Sequence, residues 1–316
     1  MRDDLPCQAD HDGLDSEISW LLGQPHLEDY LDFVKRKAVG GSAASPDVLA
    51  DEWRAANDLY HDLEQDEAGA ADTIECRPLD RGLEELASAL QAEPYYRASF
   101  DTLPTTIVMV ELDKLIVSQT DIANSFSQER ARRLGAQPTP EQLFRFCLPA
   151  KRENPPVRIQ RLGSSRYLFS SLSTDLRAHD LLLLRPGQVL DAGSTGPLAG
   201  MVALPVGFGS NFLTAIRSDN RVLLHNGHHR AYTLRALGVT HAPCIVETVS
   251  RTSELRVTAG ERIANDPAFY FRAARPPMLK DFFNAALVKK LLVRPMETMI
   301  EVELNVRSAT STDVTH

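Results

Sequence analysis

The sequence predicts an α+β protein with a mixed-sheet core and an N-terminal helical region, and three observations carry that expectation. Apolar residues recur at three- and four-residue spacings through much of the first hundred positions. A β-branched run, TTIVMVELDKLIV, opens at residue 105 and changes the period. Strand, glycine turn, helix and second strand then follow one another over 220–249, in NRVLLHNGHHRAYTLRALGVTHAPCIVETV. A chain of 316 residues is long enough for about two domains.

In chain order, Leu14, Ile18, Leu21, Leu22, Leu27, Leu31 and Val34 predict a helix over 14–39. Lys35, Arg36 and Lys37 suit its end, and Gly40 and Gly41 stop it. Ser45 followed by Pro46 marks the start of a second helix carrying Trp53, Leu59, Tyr60 and Leu63. A third covers about 80–92. These helices form an expected acidic domain over 1–103, with its boundary at 101–104.

Beyond it lies an expected core over 104–250, interrupted by a long insertion at about 121–211. Helices are expected at 128–134, before Gly135, and at 140–147. A hairpin pairs 157–159 with 166–170 across Gly163 and Ser164. Residues 180–184 form an apolar run before Pro186 and Gly187. Strands follow at 201–206, 212–216 and 221–224, the last two joined by a turn at 218–220. A helix over 229–237 ends at Gly238, and a strand occupies 243–249. The remainder, 251–316, is an extension with an amphipathic helix at 278–290 and a strand at 299–306.

Charge is unevenly spread. Residues 1–100 hold 23 Asp and Glu against 8 Lys and Arg, a net of −15, and the rest hold 20 against 26, a net of +6. A mildly basic core suits a small anionic ligand, whereas the acidic field of the first hundred residues opposes a long polyanion such as DNA. Cys7, Cys76, Cys147 and Cys244 lack metal-ligand spacing and read as reduced thiols of a cytoplasmic protein. The N-terminus shows no apolar secretory segment. Residues 197–216 carry no charge, but their glycines, Pro205 and absence of helical period argue for strands and a loop, not a membrane span.

Chemistry concentrates at Asn226, Gly227, His228, His229 and Arg230. The free amides of a helix N-terminus point outward with partial positive charge. Gly227 lets the backbone approach an anion, while the two histidines and Arg230 add donors in the first turn. Phosphate is the ligand such a turn suits. His225 reads as a core histidine of the preceding strand. Gly207, Gly209, Ser210 and Asn211 form a candidate second ligand loop, or equally a structural turn. Arg217 and Arg221 flank the hairpin turn and are expected in solvent. No Ser-His-Asp triad, Walker A motif, HExxH or zinc spacing is present.

The 226–230 stretch, with Leu112-Asp113-Lys114-Leu115 and Val117 in the opening strand, resembles the ParB/sulfiredoxin-like superfamily over about 105–120 and 212–249. Partition proteins of that superfamily carry Gly-Glu-Arg-Arg at this place, sulfiredoxins Gly-Cys-His-Arg, and free-serine kinases Asp-Gly-His. His228 stands where sulfiredoxin chemistry needs cysteine, and no helix-turn-helix follows the core, so DNA partitioning is disfavoured. The resemblance to free-serine kinases implies a nucleotide (ADP, ATP or CTP), with Mg²⁺ as a candidate companion, and phosphoryl transfer with His229 and Asp121 as the candidate acid–base pair. Asn226 replaces the kinase Asp, and Gln119 stands where their base falls. The alternative is a non-catalytic nucleotide-responsive adaptor that meets a protein partner through the N-terminal domain or through 278–306, or itself through 278–306.

Overall fold

A computed structural model of the chain describes residues 15–24, 26–150, 155–173, 175–185, 188, 196–251, 254–255, 259 and 261–308. Cys7, Leu14, Pro186 and Gly187 lie outside them. The chain is mixed α and β, and it divides into two compact units. The larger takes residues up to 152 together with 211–294, and the smaller takes 153–210 with the chain from 295 onward.

The larger unit is built on a six-stranded mixed sheet. Its order is Cys76–Arg77, Thr105–Glu111, His241–Val249, Thr214–Ser218, Arg221–Asn226 and Ile116–Val117. His241–Val249 runs antiparallel to Thr105–Glu111 and parallel to Thr214–Ser218. That central position explains why its sequence is nearly continuously apolar instead of alternating: both faces are covered, and Ala242 to Val246 are fully buried. A second, three-stranded antiparallel sheet places Ser16–Leu21 between Val288–Val293 and Asp121–Ala123.

Two expected helices are in part strands here. Residues 14–39 do not form one helix: Ser16–Leu21 is extended, and the helix is confined to Leu27–Lys37. Ile18 and Trp20 satisfy a two-residue period as well as a helical one, and pairing on both sides decides between them. The expected helix at 278–290 is a single 3₁₀ turn, Leu279–Phe283, followed by the strand Val288–Val293. Met278, Leu279 and Phe282 are helically spaced but are buried in the core.

The expected boundary at 101–104 separates no units. One hydrophobic cluster joins Tyr30, Ala56, Tyr60, Leu90 and Tyr96 from the first hundred residues to Val110, Leu213, Ala231 and Ile245. The acidic helices are thus a packing layer of the core. A buried ion cluster fastens them. Arg275, whose side chain is 1% exposed, donates to Asp281 at 2.6 and 3.1 Å and to Glu67 at 2.8 Å, and the Tyr60 hydroxyl donates to Asp281 at 3.3 Å. Arg221 is likewise not in solvent. It is 6% exposed and donates to Asp72 at 2.7 and 3.0 Å and to the Ala273 carbonyl at 2.7 Å.

The smaller unit contains the expected hairpin, Arg158–Arg161 against Arg166–Ser171, with Thr298–Glu303 as a third strand. It also holds two short pairs, Leu182–Leu184 with Met201–Ala203 and Leu176–Ala178 with Val206–Phe208. Cys76, Cys147 and Cys244 are free thiols. No described helix is long and apolar enough to cross a membrane.

Candidate functional site

The turn between Arg221–Asn226 and the helix His228–Ala236 exists because of Gly227. Its φ of 91° and ψ of 25° lie in the left-handed region, and a Cβ there would sit 2.8 Å from Leu213 Cδ1 and 3.2 Å from Leu213 Cα. Glycine is required on both conformational and steric grounds. The Asn226 side-chain oxygen accepts the Gly227 amide at 2.8 Å, and the Gly227 carbonyl accepts from the amides of Arg230 and Ala231 at 2.9 Å each. Amides ahead of these have no acceptor within the helix, which leaves the positive end of its dipole at the turn.

The three side chains expected to reach a ligand turn inward. His228 is 6% exposed, and its Nε2 makes no hydrogen bond. Burial first, then the neighbouring His229 and His225, push its pKa down to about 3. His229 accepts the Ala123 amide at 3.0 Å through Nε2, so its proton is assigned to Nδ1. Burial and the charge of Arg130 push His229 down to about 4. Both rings are therefore neutral at pH 7. Arg230, 5% exposed, donates through Nη2 to the Asn211 side-chain oxygen, while its Nε makes no hydrogen bond.

Arg130 was not visible as a site residue in the sequence. It lies on the helix Asn124–Leu134, which packs against His228–Ala236, where Thr233 donates to the Ser127 carbonyl at 3.3 Å. Its guanidinium stands 4.3 Å from the centroid of Phe126, and that ring meets His229 edge-on at 5.3 Å. Burial and the Arg130 charge together lower Arg230 to about 10. Two guanidiniums thus act on each other beside a helix N-terminus. The only sequence signal was the four-residue spacing of Phe126 and Arg130, which an ordinary solvated helix shares.

The other candidates fall differently. Asp121 pairs with Trp20 in the three-stranded sheet. Burial raises its pKa, against the opposing charges of Lys37 and Arg262. Of the candidate second loop, only Asn211 belongs to the larger unit, where it meets Arg230. Gly207 pairs with Arg177 in a strand of the smaller unit, the Gly209 amide donates to Asp175 at 2.9 Å, and Ser210 follows in that unit. A Cβ at Gly209 would meet only the end of the flexible, exposed Arg177 side chain, so packing there does not require glycine. His225 is the partly buried strand histidine expected.

A cavity of about 230 Å³ lies toward the other end of the helix, lined by Glu67, Asp113, Arg235, Arg275 and Lys280. Its charges are already matched, Arg235 to Asp113 at 2.9 Å and Lys280 to Glu67 at 2.8 Å. Among the described residues no group of three or more His, Cys, Asp or Glu is arranged to hold a metal ion. Fold and site together define a mixed α/β protein with a basic, glycine-dependent helix N-terminus in its core. Comparison with protein-family models, with curated proteins and with solved structures gives no match.

Proposed function

We propose that the larger unit binds a nucleotide or another phosphorylated small molecule at the turn Asn226–Arg230, in the manner of the ParB/sulfiredoxin-like superfamily. The observation that carries this reading is the N-terminus of His228–Ala236, opened by the obligate Gly227 and flanked by the buried Arg230 guanidinium, whose Nε makes no hydrogen bond. An anion there would meet the Arg230 guanidinium and the first-turn amides in the same step. Neutral His228, with an unused buried Nε2, offers a further polar atom. Mg²⁺ would arrive with the phosphates of a nucleotide.

The geometry favours a nucleotide-responsive binding role over phosphoryl transfer. His229 Nε2 is engaged by the Ala123 amide, and the charges acting on Asp121 are those of Lys37 and Arg262. His229 cannot serve as a base at the turn without giving up that hydrogen bond. Thermal shift with ADP, ATP, CTP and inorganic phosphate, with and without Mg²⁺, tests the reading, since a ligand that binds only the folded state raises its stability. Arg130→Gln and Arg230→Lys should each weaken the strongest response about tenfold. A flat response to all four ligands would overturn it.

A further inference from the structure

The strand Thr105–Glu111 is only half covered on its outer side. The Glu111 amide donates to the Glu75 carbonyl at 2.9 Å on that side, whereas the next amide, Leu112, donates to the Thr240 carbonyl at 2.8 Å on the opposite side. Odd-numbered residues therefore point their backbone groups outward. The covering strand, Cys76–Arg77, pairs with Val110 and Met109 and ends at Pro78. The outward backbone groups of Thr105 and Ile107 have no partner among the described residues. Both residues are partly exposed.

Beside this edge lies an open groove of about 480 Å³, lined by Pro78, Leu79, Thr106, Val108 and Arg217 among others. Its charged members differ in availability. Arg77 is held by Asp80 at 3.0 Å, and Glu84 accepts the Gly82 amide at 2.8 Å. Arg217 is partly buried and has no acidic partner among the described residues. Arg217 is the cation of the groove to which no acid is committed, while the exposed Glu84 keeps its negative charge at the rim.

We propose that this edge and groove take an extended peptide of another protein, which continues the line of Cys76–Arg77 beyond Pro78. The peptide exchanges backbone hydrogen bonds with Ile107 and Thr105, lays apolar side chains on Leu79 and Val108, and presents a carboxylate to Arg217. The edge supplies affinity for any extended chain, and Arg217 selects acidic ones.

The full chain is titrated by fluorescence anisotropy with a labelled octapeptide of sequence Thr-Val-Thr-Glu-Thr-Val-Thr-Glu, whose valines and glutamates share one face of an extended chain, the face that Val108 and Arg217 share in the sheet. Its lysine counterpart and a version N-methylated at alternate residues are the controls. The glutamate peptide should bind, the other two at least about tenfold more weakly, and Arg217→Gln should weaken the glutamate peptide by a similar factor. Exchange of the Ile107 amide should be fast in the free protein and slow in the complex. Equal binding of the N-methylated or lysine peptide overturns the proposal, as does no binding. An Ile107 amide already protected in the free chain overturns it too, because another segment of the chain then occupies the edge.

Discussion

The Ala123 amide and the His229 imidazole form a 3.0 Å hydrogen bond between residues 106 positions apart. It ties the short strand Asp121–Ala123 to the first turn of His228–Ala236 and fixes the neutral tautomer of the ring. His229→Ala should leave that amide without an acceptor and cost about 1–3 kcal/mol. Chemical denaturation measures it. A loss below about 0.5 kcal/mol would mean that water replaces the ring.

Acid should destabilise the fold through the same histidines. His228 and His229 have an ordinary pKa of 6.5 and folded values of about 3 and about 4. Their folded pKa values are depressed, so below pH 6.5 the unfolded chain binds protons that the folded chain refuses. The stability they permit is full above pH 6.5 and falls as pH drops toward 4. At pH 5 each histidine accounts for about 2 kcal/mol. Urea unfolding of wild type and His228→Asn between pH 7 and pH 5 checks this. The variant should lose less stability over that interval.

Gly227→Ala should both destabilise the chain and blunt any phosphate response. The positive φ and the 2.8 Å approach to Leu213 act together, for a loss of about 2 kcal/mol. Gly238→Ala is the control. It also has positive φ, but nothing lies within 4 Å of its added Cβ, so its loss should be smaller. Melting temperatures of the two variants separate strain from collision.

Asp281→Ala should be the most damaging single change considered. It leaves Arg275 buried and removes the acceptor for Tyr60 and for the Met278 amide, which bonds Asp281 at 2.8 Å. Breaking a buried pair in this way costs about 3–5 kcal/mol. Denaturation midpoints and soluble yield report it.

A chain that begins near Leu103 should fail to fold. It would lack Ser16–Leu21, the middle strand of the three-stranded sheet, and Tyr60, Leu90 and Tyr96 of the main cluster. Loss of sharp near-UV circular dichroism is the expected outcome, and a cooperative melt of the truncated chain would count against the shared core.

Much of the local structure was legible because single segments carried their own signals. Ser45 and Pro46 begin a helix, Gly135 ends one, and the Arg158–Arg161 hairpin turns at Gly163. The strand–Gly227–helix unit was legible for the same reason. What failed depends on distant partners. Ser16–Leu21 is a strand only because residues near 121 and 290 flank it, and its own periodicity is ambiguous. The charge step that suggested a separate acidic domain reflects solvent-facing surfaces of helices whose inner faces join the common core. At the site, sequence identified the turn but not its orientation. Burial turned His229 toward Ala123, and Arg130 entered from a helix about a hundred residues away.

The interleaved order of the six-stranded sheet bears on how the chain is made. Thr105–Glu111 and Ile116–Val117 leave the ribosome early, yet the strands that lie between them begin only at residue 214 and end at 249. At about 5–20 residues per second, roughly ten seconds pass with these early strands lacking their eventual neighbours. Through that interval TTIVMVE is a β-prone segment without charge before its final glutamate. The nascent protein is most exposed to aggregation then, and a chaperone that shields extended apolar segments would raise its yield more than one that acts on the finished chain.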